Sequence, residues 1–278
     1  TDCCDWYCVT CDPKTHRINS LTVITGSLTG QIPPQVGDLP FLETLEFHKQ
    51  ANLTGPIQPA IAKLSKLKVL TLSWTNLTGS VPDFISNLKN LTFLDVSFNN
   101  LTGSIPSSLS KLENLLSIRL DWNKLTGLIP ESFGDFPGNG PDINLAYNQL
   151  SGKIPDSLKK KKNFDRIDLS RNRLEGDGSV IFGSNKMTQI VDLSRNLLEF
   201  DVSKVEFSKS LILIDLNHNK IFGSLPVGLT ALDKLQGFNV SYNRLCGEIP
   251  VGGKLQSFND TSYFHNRCLC GAPLPSCK

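Results

Sequence analysis

One pattern, Asn-x-Leu-x-Gly, returns along this chain almost from end to end, and it constrains the fold more than any other feature. Its glycine position falls at Gly30, Gly55, Gly79, Gly103, Gly127, Gly152, Gly176, Phe200, Gly223 and Gly247, ten units spaced by 23 to 25 residues. A unit this short cannot bury its own apolar face, so each needs its neighbours. The 278 residues, which by length alone suggest one large domain or two, therefore read as a stack of coils.

The fixed letters build the stack. Alternating apolar residues such as Leu94 with Val96 and Ile167 with Leu169 predict short strands with one inward face. The full form, LxxLxLxxNxL, is that of a leucine-rich repeat. The expected fold is an α/β solenoid: a right-handed leucine-rich-repeat superhelix of about ten plant-type repeats, with a parallel sheet on its concave face. Asparagine after the strand, at Asn99, Asn123, Asn148, Asn172, Asn196, Asn219 and Asn243, is expected to bridge buried backbone groups. Gly26, Ala51 and Thr75 stand there in the first three units, which predicts a weaker ladder at that end. The following GxIP suits a short edge strand and a helical turn.

All eight cysteines lie near the ends. A solenoid must cover its terminal apolar faces, and disulfide caps suit that need, in an oxidising compartment. Residues 1–17 read as an N-terminal cysteine cap, apparently truncated, 18–252 as the repeats and 253–278 as the C-terminal cap. Of three tail connectivities, Cys246 with Cys268 and Cys270 with Cys277 is expected. At the front Cys4 with Cys11 is a plausible expected pair, which leaves Cys3 and Cys8 uncertain. Cys8 and Cys11 form a CxxC without a matching second one, so zinc is not expected.

The changing letters fall on strand positions that face out, where equal positions in successive coils make columns. Four residues before the asparagine the column runs Thr22, Glu46, Thr71, Asp95, Arg119, Asn144, Asp168, Asp192, Asp215 and Asn239. Stacked aspartates repel, so stability alone would not choose them. Neutralisation by Arg166, Arg171 and Arg195 is the bland alternative. One residue before the asparagine stand Trp74, Phe98, Trp122, Tyr147, Arg171, Arg195, His218 and Tyr242, side-chain types enriched at interface hot spots. The candidate partner-binding set adds Glu46, His48 and Asp121. Such a wide surface suits a macromolecule better than a small metabolite.

Other functions find little support. A net charge of +2 lacks the basic footprint of a nucleic-acid binder, and no apolar run approaches the roughly 18 residues of a membrane span. No apolar leader precedes Thr1, so any secretory signal is expected either to have been removed or never to have been part of this sequence. His16, His48, His218 and His265 are scattered without metal-ligand spacing, and GxSxG, HExxH and P-loop motifs are absent. Columned aspartates could in principle hydrolyse a glycoside, but an open sheet is expected to lack the cleft that raises a carboxyl pKa. No enzyme and no cofactor are expected. Sequons at Asn52, Asn76, Asn90, Asn100, Asn239 and Asn259 fit a secreted glycoprotein. The run Lys159 to Lys162 reads as a solvated face or as an attraction to an acidic polysaccharide such as pectin.

Four stretches go beyond generic repeat chemistry: DCCDWYCVTCD at the start, FHKQANLTGPIQPAIAKL from Phe47, LEGDGSVIFGSNKMTQIVDLSRNLLEFDVSKVEF from Leu174, and SYFHNRCLCGAPLPSC near the end. In these the chain resembles the plant polygalacturonase-inhibiting proteins over essentially its whole length. The resemblance implies a monomeric, secreted protein of the plant cell wall, or apoplast, that takes part in plant defence. Its partner would be a fungal endopolygalacturonase, bound on the concave face so that pectin is blocked. It assigns charge complementarity to Asp95, Arg119, Asp168, Asp192 and Asp215, with Trp74, Phe98, Trp122, Tyr147 and His218 as anchors. His218 would become protonated in a mildly acidic wall. The family's helical cap, with another cysteine, is missing before Cys3, and the lysine run departs from the family. An ice-binding protein and a receptor ectodomain are the alternatives. The first would need an array of threonines, and the second should continue into a membrane span beyond Lys278.

Overall fold

The computed structural model describes residues 2–138, 140–160 and 164–278. They form two compact units, Thr1–Pro141 and Asp142–Lys278. In the first, an antiparallel pair, Val9–Cys11 with Ile18–Val23, opens a sheet that continues in parallel through Thr44–Gly55, Val69–Leu77, Phe93–Asp95 and Ser117–Arg119. In the second, Asp142–Asn144, Arg166–Asp168, Ile190–Asp192, Leu213–Asp215 and Gly237–Asn239 pair in parallel. Pairing is residue for residue, so Leu45, Leu70, Leu94 and Ile118 fall on one line and are fully buried. Ile143, Ile167, Val191, Ile214 and Phe238 do the same in the second unit. Each line is the continuous core that no single coil could make.

The helical turns expected on the outer side are 3-10 turns. Every helical element among the described residues is a 3-10 turn of three to five residues, such as Pro59–Lys63, Asp83–Asn87 and Ser107–Lys111. The physical reason is length, because a coil of about 24 residues that holds a strand, a turn and the GxIP segment leaves no room for a stable α-helix. Minor strands form at and just before the turn glycines, among them Gln149–Lys153 beside Arg173–Gly176 and Phe222–Gly223 beside Arg244–Glu248.

The asparagine ladder forms as read. Asn99 accepts the Leu77 N–H at 3.0 Å and donates to the Leu72, Val96 and Ser97 carbonyls at 2.7–3.1 Å, and Asn123, Asn172, Asn196, Asn219 and Asn243 repeat this. The expected weakness at Ala51 needs correction. Gln50, fully buried, accepts from the Leu28 N–H at 3.2 Å and donates to Val23 and His48 carbonyls. Those separations of 22 and 27 residues match the ones Asn99 spans. Its longer side chain fits because Gly26 has no Cβ, and one there would meet the Gln50 amide at 3.2 Å. Thr75 joins the network by donating to the Asn99 amide oxygen.

Disulfides join Cys4 to Cys11, Cys246 to Cys268 and Cys270 to Cys277, while Cys3 and Cys8 are free thiols. The Sγ atoms of Cys3, Cys4 and Cys11 cluster, but two of the three are spent in the disulfide. The tail does more than cover an end. Asn266 accepts from the Leu245 N–H and donates to the Val240 and Tyr263 carbonyls, and Cys268–Cys270 pairs in parallel with Arg244–Glu248. Residues 262–270 thus form an eleventh coil inside what the sequence assigned to a cap.

Candidate functional site

The outward columns owe their shape to how each strand ends. The residue before the ladder asparagine takes a left-handed backbone throughout: Lys49, Trp74, Phe98, Trp122, Tyr147, Arg171, Arg195, His218, Tyr242 and His265, all at φ of +53° to +57°. For bulky side chains this conformation costs roughly 1–3 kcal/mol each, so the surrounding bonds must hold it. One of those bonds comes from the acidic column. Asp95 accepts the Ser97 N–H at 2.9 Å and its hydroxyl at 2.6 Å, Asp168 does the same with Ser170, and Asp192 and Asp215 accept the N–H groups of Ser194 and Asn217.

These contacts correct the idea that stability has no use for the acids. The turn is served equally well by an amide, however: Asn144 and Asn239 take the same bond from Ala146 and Ser241. The turn therefore accounts for Asp or Asn, and the charge itself is left over.

In the second unit the charge is concentrated. Asp168, Asp192 and Asp215 lie directly opposite one another on adjacent strands, which places them about 4.8 Å apart. Burial pushes the Asp192 carboxyl up to about 6, with Asp168 and Asp215 adding like-charge repulsion. Burial also raises Asp215. The expectation that an open sheet cannot raise a carboxyl pKa fails here, because the flanking columns remove enough water. Arg166 reaches Asp168 at 3.4 Å, and Arg195 acts on Asp215 from a distance. Arg171 instead lies over the Tyr147 ring at 4.5 Å. His218, Tyr242 and His265 stack at 4.0 and 4.2 Å. Burial first and Arg195 second lower the His218 pKa, so its protonation needs a more acidic medium than the reference value suggests.

In the first unit Trp74, Phe98 and Trp122 stack with centroids 3.9 and 5.2 Å apart and planes within 13°. Trp74 and Trp122 are 48% and 44% exposed, so their edges form an apolar ledge. Glu46 holds the expected register between Thr22 and Thr71. His48 sits one strand position from that ledge and shares a hydrogen bond of 2.9 Å with Ser73. Arg119 lies between two buried carboxylates, 3.9 Å from Asp95 and 3.6 Å from Asp121. Asp95, at 6% exposure, offers a partner less than its column position suggested.

Three features were missed from the sequence. Lys49 and His265 belong to the left-handed column, and the signal for His265 was HNRCLCG, a repeat with cysteine in place of leucine. Thr29, Thr54, Thr78, Thr102 and Thr126 stand before the first five turn glycines, and the last four donate N–H to the preceding coil. Among the sequons Asn52, Asn76, Asn90 and Asn259 are exposed and Asn100 and Asn239 half-buried. Lys159 and Lys160 are exposed on a 3-10 turn, and Lys161 and Lys162 lie outside the described residues.

Close relatives align with the whole of this chain. A polygalacturonase inhibitor of Pyrus communis is 74% identical over the whole of this sequence and 84% of its own. The chain belongs to the polygalacturonase-inhibitor family. Polygalacturonase inhibitor 1 of Arabidopsis thaliana matches at 64%, again over all of this chain and 84% of that one, and the Leucine Rich Repeat family matches residues 66–88, 90–112, 114–136 and 142–160. Membership in a family of inhibitors makes this a protein-binding molecule and not an enzyme. The crystal structure of a plant ice-binding protein is also similar, with 53% identity, a TM-score of 0.97 and coverage of all of this chain and 89% of that one. No helix among the described residues is long and apolar enough to cross a membrane.

Proposed function

We propose that this protein is a secreted, monomeric inhibitor of fungal endopolygalacturonases, acting in plant defence from the cell wall. The observation that carries the reading is the aligned acid column Asp168, Asp192 and Asp215, flanked by Arg171, Arg195 and His218. An enzyme that holds polyanionic pectin needs a cationic cleft, and a column of acidic groups that the local turn does not require is complementary to such a cleft, with Asp192 contributing its charge only above about pH 6. Inhibition is then occlusion: the sheet face covers the cleft, no bond is broken, and release restores the enzyme. Three disulfides suit an extracellular setting. Lys159 and Lys160 are candidates for contact with pectin itself.

The test replaces all three aspartates by asparagine, which keeps the turn bond that Asn144 and Asn239 make. Pectin hydrolysis by a panel of fungal endopolygalacturonases is measured with each protein. The parent should inhibit at least one enzyme, and the triple variant should weaken that inhibition by about tenfold or more. Equal inhibition by both proteins refutes the acid column as the contact.

A second reading is favoured by one observation. The threonine column from Thr29 to Thr126 supplies the regular array that ice binding needs, on a chain similar to an ice-binding protein. Thr54 and Thr102 hydroxyls turn back toward the Gly30 and Gly79 carbonyls at 3.3 Å, which weakens that reading. Thermal hysteresis of the purified protein decides it.

A further inference from the structure

Two aspartates of the acid column lack the cation that the third one has. On the strand Arg166–Asp168 the residue two places before the acid is an arginine, and its guanidinium reaches the Asp168 Oδ2 at 3.4 Å. The next two strands carry Ile190 and Leu213 at that place, directly opposite Arg166 and each other, and Gly237 follows. Among the described residues no cationic side chain forms an ion pair with Asp192 or Asp215. Arg195 acts on Asp215 only from a distance.

The local turns hold both carboxyls by one oxygen. The Ser194 N–H bonds the Asp192 Oδ1 at 2.9 Å, and the Asn217 N–H and amide bond the Asp215 Oδ1 at 3.0 and 2.5 Å. The Oδ2 of each is left for another donor. Beside these acids Ile190 and Leu213 are half-exposed. Leu213 lies against Gly237, where a Cβ would meet its Cγ and Cδ1 at 3.3 Å, and a glycine inside a strand marks a place that another chain can approach closely. Ile190 and Asp192 are two positions apart on one strand, about 6.6 Å, and the two acids are about 4.8 Å apart across strands. An arginine matches both lengths. Its stem covers apolar surface while its head stays at the polar end, and its planar fork suits two carboxylates better than the point charge of lysine does.

We propose that Ile190, Leu213, Asp192 and Asp215 form a subsite for one arginine side chain of the bound enzyme, its stem on Ile190 and Leu213 and its guanidinium between the two acids. The partner supplies in trans the cation that Arg166 supplies to Asp168 in cis. This inference rests on the inhibitor reading and narrows its contact to two strands, because Asp168 is already paired. The arriving guanidinium also drives off the proton that Asp192 holds near pH 6, since an adjacent cation favours the charged carboxyl.

Calorimetry measures binding of the full chain to a panel of fungal endopolygalacturonases at pH 6, in buffers of different ionisation enthalpy so that released protons are counted. Ile190→Arg places the missing cation in cis, and Ile190→Leu keeps the apolar shelf. Melting temperatures verify that both variants fold. Ile190→Arg should weaken binding by about tenfold or more, and Ile190→Leu by less than about twofold. The parent should release about half a proton per complex, and Asp192→Asn should remove that release. Leu213→Ala should weaken binding several-fold by itself but less than about twofold on top of Asp192→Asn with Asp215→Asn, because one side chain makes both contacts. Unchanged binding by Ile190→Arg, independent effects of Leu213→Ala and the two Asp→Asn changes, or equal proton release with and without Asp192 overturns the subsite. If replacing Asp168, Asp192 and Asp215 by asparagine weakens binding while Ile190→Arg does not, the subsite alone fails. If the parent binds none of the enzymes, the inhibitor reading fails with it.

Discussion

At the scale of the residue, one buried amide and one half-buried carboxyl show opposite relations to stability. The Asn99 side chain satisfies a Leu77 N–H and three carbonyls from two coils. Asn99→Ala should therefore destabilise its neighbourhood by about 3 kcal/mol, because buried groups left unpaired cost about 1–3 kcal/mol each. Hydrogen exchange at Leu77, compared with Leu101, which Asn123 holds, reads this locally, which suits a repeat protein whose coils do not unfold as one. Asp192 works the other way. Its folded pKa, about 6, lies above the ordinary carboxyl value of 3.8, so the folded state binds the proton more tightly than the unfolded chain. The penalty for its charge is full above that folded value and is relieved as pH falls through it. Asp192→Asn should raise stability near neutrality by on the order of 2 kcal/mol and lose that advantage by about pH 4. Denaturant midpoints of parent and variant across this range measure the difference. A constant difference would mean that the carboxyl titrates normally.

At the scale of the element, the eleventh coil has the least to pack against and the most covalent help. Cys246–Cys268 closes a loop of 22 residues directly across the parallel pairing of Arg244–Glu248 with Cys268–Cys270. Replacing both cysteines by serine should cost about 2–4 kcal/mol, felt first as protease cleavage between 252 and 278. Inhibition should survive if the acid column is the contact, since Val240 and Tyr242 would lose only their bonds to Ser262 and Phe264. The 3-10 turns carry a related lesson. The GxIP segment suggested a helical turn on the outer side, and the length of each coil says which kind.

At the scale of the whole molecule, the two functional readings ask different surfaces to act. The acid column predicts salt-sensitive inhibition, which should weaken as ionic strength rises past the range where charges are screened. Ice binding on the threonine column would be indifferent to the three Asp→Asn changes. Much was legible in the chain itself. The repeat spacing determined the stacked coils, the strand register and both outward columns, because a fixed period leaves equal positions nowhere else to go. The chain could not show that Gln50 replaces Ala51 in the ladder, since that depends on space left by Gly26 one coil away. Nor could it show that Asp192 is buried enough to hold its proton, or that Trp74 spends one face on Phe98. These follow from which side chains meet across neighbouring coils, and only the tertiary structure decides that.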